Sequence, residues 1–114
     1  MNRLVWKKSC DTCRRFKAAL DEAGVSYDGR EMNAAPLDAA EVRALVDGIP
    51  VKDWLNPRNE LYRERGFARE TPTADEAIAL AGVHNNLIRR PVFVVGGVAR
   101  FGEKAEAAIQ RARA

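Results

Sequence analysis

The sequence predicts an α/β domain with a helical block inserted between two strand regions, and three observations carry that prediction. A short apolar run, Leu4-Val5-Trp6, is followed by a segment whose apolar or small positions recur at spacings of three and four. From Pro36 onward the middle of the chain shows one helix start and stop after another. Near the end, two strand-like runs flank Gly96-Gly97 and lead into a last helical segment.

Taken in order, Arg3 to Trp6 reads as a strand and Asp11 to about Ala23 as a helix, with Phe16, Ala19, Leu20 and Ala23 on one face and Gly24 closing it. Val25 through Met32 is compatible with a second strand, weakened by Gly29, which makes a βαβ opening. Asp38 is placed to cap a helix reaching about Val46, with Ala39, Val42, Leu45 and Val46 on one face. A helical turn around Val51 to Leu55 and a charged helix from about Asn59 to Arg65, ended by Gly66, follow. Thr73 and Glu76 have capping-box spacing before Ala77, Ile78, Leu80 and Ala81. The final segments are strands at Pro91 to Val95 and Val98 to Phe101, and a helix from about Glu103 to Arg113. The expected organisation is one domain over residues 1–114, with the helical insert at about 36–86.

The bulk properties exclude several classes. A formal charge of +3 from 19 basic and 16 acidic side chains, scattered along the chain, predicts a solvated surface and no direct nucleic-acid partner. Leu4-Val5-Trp6 is too short for an export signal and Lys7-Lys8 follows at once. Nothing approaches the roughly 18 apolar residues of a membrane span. The expectation is a soluble, cytoplasmic protein with no membrane association. Thiols are kept reduced there, so Cys10 and Cys13 do not read as a permanent structural disulfide.

Ser9-Cys10-Asp11-Thr12-Cys13 lies where the first strand hands over to the first helix. The sulfur of the first cysteine faces the unpaired N–H groups and positive end of that helix, while Cys13 sits one turn in and is better shielded. Cys10 is therefore the attacking thiolate and Cys13 the candidate resolving thiol, with Ser9 and Thr12 as candidate substrate contacts. A free thiol needs about 2 kcal/mol of stabilisation to be half ionised at neutral pH. A helix N-terminus supplies about 0.3 to 1 kcal/mol, occasionally about 2. Lys7 and Lys8 would add to it, whereas Asp11 would oppose it and keep the pair less oxidising than a neutral residue would.

Two other readings of the pair compete. A closed zinc site needs four ligands, and the chain offers two cysteines and the single His84, so no metal is expected. The cysteines could also be small buried hydrophobes. His84, beside Asn85-Asn86 at a helix end, reads as an exposed or capping residue. Trp6, Trp54, Phe67, Phe93 and Phe101 read as core or core-edge residues, and neither a flavin nor a nucleotide motif is present.

Cys10-Asp11-Thr12-Cys13 near the start, Asn56-Pro57-Arg58 in the insert, Leu87-Ile88-Arg89-Arg90-Pro91 and Arg100-Phe101-Gly102 together resemble the ArsC/Spx family of thioredoxin-fold proteins. The resemblance spans nearly the whole chain and rests on the order and spacing of these motifs. It implies a thioredoxin-like (glutaredoxin-like) fold, a nucleophile at Cys10, and a cis-proline at Pro91 opposite it, which would leave the preceding backbone free to pair with an extended substrate. It also implies oxyanion binding by arginines, whose planar guanidinium donates paired hydrogen bonds. Arg90 matches that pattern, and the alternative for it is a surface cation in the Arg89-Arg90 doublet. Asn56 stands where the first anion-binding arginine is expected, with Arg58 two residues on. The third position falls near Gly102, with Arg100 close by. Cys13 is absent from that place in glutaredoxin-dependent arsenate reductases, so the chain is more similar to Spx-type and reductase-like branches.

Two functions follow from the resemblance. One is a thiol-dependent oxidoreductase acting on arsenate or a mixed disulfide, with Cys10 and Cys13 catalytic, Arg58, Arg90, Pro91, Ser9 and Thr12 binding a small anionic or thiol substrate, and no bound cofactor. Glutathione, glutaredoxin or thioredoxin would serve as reductant. The other is an Spx-like redox-switched regulator that grips RNA polymerase. The sequence ends directly after its last predicted helix, without the longer C-terminal extension those regulators share, which favours the enzyme.

Overall fold

A computed structural model describes all residues, 1–114. The elements in chain order are β1 (Arg3–Trp6), α1 (Asp11–Glu22), β2 (Asp28–Glu31), α2 (Ala39–Leu45), α3 (Val51–Trp54), α4 (Glu60–Glu64), α5 (Ala74–Val83), a 3₁₀ turn (Asn85–Leu87), β3 (Val92–Val95), β4 (Val98–Phe101) and α6 (Ala105–Arg113). Their contacts divide the chain into two compact units, Met1–Pro36 with Arg90–Ala114, and Leu37–Arg89.

The first unit is built on a four-stranded sheet in the order β2-β1-β3-β4. β1 runs parallel to β2, as a strand–helix–strand connection requires, and antiparallel to β3, which forms a hairpin with β4. Gly96 and Gly97 make the hairpin turn with φ of 57° and 76°, both left-handed, the geometry that matches strand twist in a two-residue loop. Leu4 and Phe93 are direct cross-strand partners and form the core with Phe16 and Leu20 of α1 and Ala108 of α6. Phe16 meets Phe93 edge-on at 5.9 Å between ring centres. This packing holds α1, and with it the Cys10 end, against the sheet.

β2 is shorter than the run from Val25 to Met32 suggests, because Val25 still belongs to the end of α1. Gly24 takes φ +73°, its N–H bonds to Asp21 O at 3.1 Å and the Val25 N–H to Leu20 O at 3.0 Å, a Schellman ending. Ladder pairing starts only when Asp28 N–H reaches Asn2 O at 2.8 Å.

In the second unit Asp38 caps α2 as expected and does so in a full reciprocal box with Glu41. Thr73 accepts from the Glu76 N–H at 3.2 Å, but no reciprocal bond from Glu76 completes the box there. Asn85 ties the two ends of this unit: its side chain accepts from Leu37 N–H at 2.8 Å and donates to Leu37 O and Ala81 O. The segment around Leu55 lies alongside Ile88, with Asn56 N–H donating to Leu87 O at 2.7 Å and Arg89 N–H to Trp54 O at 2.8 Å. The last helix starts at Ala105 rather than near Glu103, whose carboxylate instead takes two bonds from Arg111. No helix is long and apolar enough to cross a membrane.

Candidate functional site

Cys10 is the N-cap of α1, with extended φ, ψ of −98° and 116°. Ser and Asp usually cap through a side-chain oxygen; here a sulfur takes that place and accepts from the Cys13 N–H at 3.4 Å. Burial pushes the Cys10 thiol pKa up, but the Cys13 N–H, the Cys13 thiol and the Arg90 guanidinium together outweigh it, and the net shift is downward. Cys13 is fully buried, and its thiol is pushed up to about 12, first by that burial and further by the Cys10 sulfur beside it. The two cysteines are free, not joined in a disulfide. One sulfur is therefore poised to ionise and the other to stay protonated and donate to it.

Arg90 supplies both charge and a hydrogen bond to Cys10. That interaction does not satisfy its Nε and Nη1, which are buried and have no acceptor in the protein. Pro91 is buried and the Arg90–Pro91 peptide bond is cis, as the resemblance implied. The main chain here is fixed to the far hairpin strand by Gly102 N–H donating to Pro91 O at 2.9 Å. The surface-cation alternative for Arg90 fails on these contacts.

Ser9 and Thr12 flank the cysteines and are exposed. Asp11 is exposed as well, and its carboxylate is held in an ion pair with Arg14, so its charge is offset locally. The lowering at Cys10 comes chiefly from Cys13 and Arg90. Arg58 belongs to the Leu37–Arg89 unit, exposed, in a turn where its N–H donates to the Asn56 side chain at 3.1 Å. Gly102 has φ +65°, a conformation that disfavours an arginine at that position, and Arg100 is exposed on β4. His84 is exposed at the C-cap of α5. No group of three or more His, Cys, Asp or Glu side chains comes together in metal-binding fashion.

Two participants are not apparent from the motif. The Asp11–Arg14 pair has a readable signal, opposite charges three apart on a helix. Glu31, which accepts a hydrogen bond from the Lys8 N–H at 2.8 Å, has none, because the contact spans 23 residues.

The family model described as the ArsC family matches residues 5–110. The chain is 28% identical over 105 residues to the Bacillus subtilis protein YusI, covering 89% of each. It is 24% identical over 98 residues to the global transcriptional regulator Spx of Bacillus subtilis, covering 82% of this chain and 73% of that one. Among solved structures, an ArsC-family-related protein from Bacteroides fragilis superposes with a TM-score of 0.79 at 26% identity, covering 96% of each chain. The fold is thus the expected thioredoxin-like α/β arrangement with a helical block between its strand regions.

Proposed function

Because this chain belongs to the ArsC family, we propose that it is a thiol-dependent oxidoreductase in which Cys10 attacks an oxidised substrate and Cys13 resolves the product. Family membership supports a thiol-dependent, reductase-like function. The observation that carries it is the pairing of a lowered Cys10 pKa with a Cys13 thiol held at about 12 next to a guanidinium with unused buried donors.

With a mixed disulfide, the Cys10 thiolate bonds to one sulfur and the other leaves as a thiolate. Cys10 then no longer carries the negative charge that raises the Cys13 pKa, so Cys13 ionises more readily. Its thiolate attacks Cys10, expels the bound group and leaves a Cys10–Cys13 disulfide. Two electrons from an external thiol, such as glutathione, glutaredoxin or thioredoxin, restore both thiols. With arsenate, the Cys10 sulfur bonds to arsenic as an oxygen leaves as water. A second thiol then attacks the Cys10 sulfur to form a disulfide, and the S–As bond breaks with both its electrons staying on arsenic, which leaves as arsenite. Arg90 offers its free donors to the anionic part of either substrate, with Ser9, Thr12 and Pro91 as neighbouring contacts and Arg58 as a second proposed cation.

The test is reductant-coupled turnover of arsenate and of a glutathione mixed disulfide. Cys10→Ser abolishes both, Cys13→Ala accumulates a substrate adduct on Cys10 detectable by mass, and Arg58→Gln raises KM. Full activity in Cys10→Ser would sink the proposal. The likeness to Spx supports a second reading, a redox-switched regulator that binds RNA polymerase; capture of polymerase subunits that depends on the oxidation state of the cysteines, with no turnover, would favour it.

A further inference from the structure

The turn that delivers Cys10 runs from Lys7 to Cys10. Lys8 and Ser9 are exposed, and the turn's backbone bond is Cys10 N–H to Lys7 O at 3.0 Å. Besides the Lys7 backbone bond to the Cys13 sulfur, two side chains grip the two polar groups of Lys8. Glu31 Oε2 at the end of β2 accepts the Lys8 N–H at 2.8 Å, and Arg14 Nη1 on α1 donates to Lys8 O at 2.8 Å. The other oxygen of Glu31 accepts the Ala34 N–H at 2.7 Å, with a further contribution from the Asn33 N–H. One carboxylate thus joins the chain after β2 to the turn before α1.

We infer that Glu31 is a positioning residue: by fixing the Lys7–Cys10 turn, it holds the Cys10 sulfur where the Cys13 N–H and Arg90 can reach it. The inference rests on the thiolate reading of Cys10 above. The Cys13 N–H reaches the sulfur at 3.4 Å, a bond that depends on where the turn places Cys10. Lys8 is two residues from Cys10, so a slack turn moves the sulfur directly. Glu31 bonds the backbone of Lys8 and not the Cys10 sulfur, so its proposed action runs through geometry.

The sign of the effect separates this from simple electrostatics. Were Glu31 only a nearby negative charge, removing it would lower the Cys10 pKa; loss of the clamp raises it. The measurement is the rate of Cys10 alkylation by iodoacetamide against pH on the reduced full chain, with the labelled cysteine located by peptide mass. Glu31→Ala moves the profile to higher pH and slows labelling at about pH 6.5 by about threefold to tenfold, following the lost thiolate fraction. Glu31→Gln keeps one carbonyl acceptor for one of the two arms and falls between the two. A Glu31→Ala profile that matches the unaltered protein's depressed one, or lies below it, overturns the clamp alone. An ordinary thiol profile in the unaltered protein overturns the thiolate reading and the clamp with it.

Discussion

The Cys13 N–H donates to the Cys10 sulfur at 3.4 Å, so the residue proposed as the resolving thiol also bonds the sulfur it would attack. Helix geometry makes this possible, since residues three apart sit on successive turns of one face. A helix dipole supplies a modest part of such a shift, and Cys13 and Arg90 both act on the lowering side at Cys10.

Arg90→Gln removes a charge and a donor from the thiolate. Cys10 labelling at pH 7 is expected to slow about tenfold, the lower end of what an adjacent opposite charge does to a pKa. KM for an anionic substrate rises as well, while KM for an uncharged disulfide does not. Arg90→Lys recovers part of the labelling rate and less of the anion affinity, because a lysine ammonium lacks the planar fork. Equal loss on charged and uncharged substrates would contradict the anion role.

Cys13 makes stability depend on alkaline pH. Its thiol sits at about 12 in the folded chain, against an ordinary value of about 8.5 when unfolded. Between those values the unfolded chain gives up its proton and the folded chain keeps it, so this contribution falls as pH rises from about 8.5 toward 12. Cys10 has the opposite sign: its lowered pKa adds stability that is fully present above the unfolded value and lost as pH falls through the folded one. Urea unfolding of the reduced protein at about pH 8 and about pH 10.5 is expected to show a smaller alkaline loss in Cys13→Ala than in the unaltered chain. Identical losses would contradict it.

Gly82 lies in α5 where that helix meets α2. A Cβ there would fall 2.7 Å from both Cα and N of Ala39, a backbone contact that cannot yield without moving α2. Gly82→Ala would ordinarily gain about 0.5 to 1 kcal/mol in a helix. Overpacking of about 1 to 3 kcal/mol outweighs that, so the midpoint of denaturant unfolding should fall. A raised midpoint would show that the two helices separate freely.

Local rules account for most of what the sequence alone determined. The Asp38 and Thr73 caps, the Gly24 ending, the two-glycine hairpin and the N-cap position of Cys10 each depend on residues within a few positions of one another. The Cys-x-x-Cys spacing put both sulfurs on one helical turn for the same reason. Tertiary structure decided how far those sulfurs differ. Helix position already marked Cys13 as the better shielded sulfur, and the fold takes it to full burial. Arg90 reaches Cys10 from 80 positions away because β3 pairs with β1 in the register Val5 to Val92, bringing the residues before Val92 beside the turn that leaves Trp6. Glu31 meets Lys8 through the parallel pairing of Trp6 with Glu31, a second long-range register. Strand register is a property of the whole sheet's packing, so Cys10, Cys13 and Arg90 could be named from the chain, and their contacts, with that of Glu31, only from the fold.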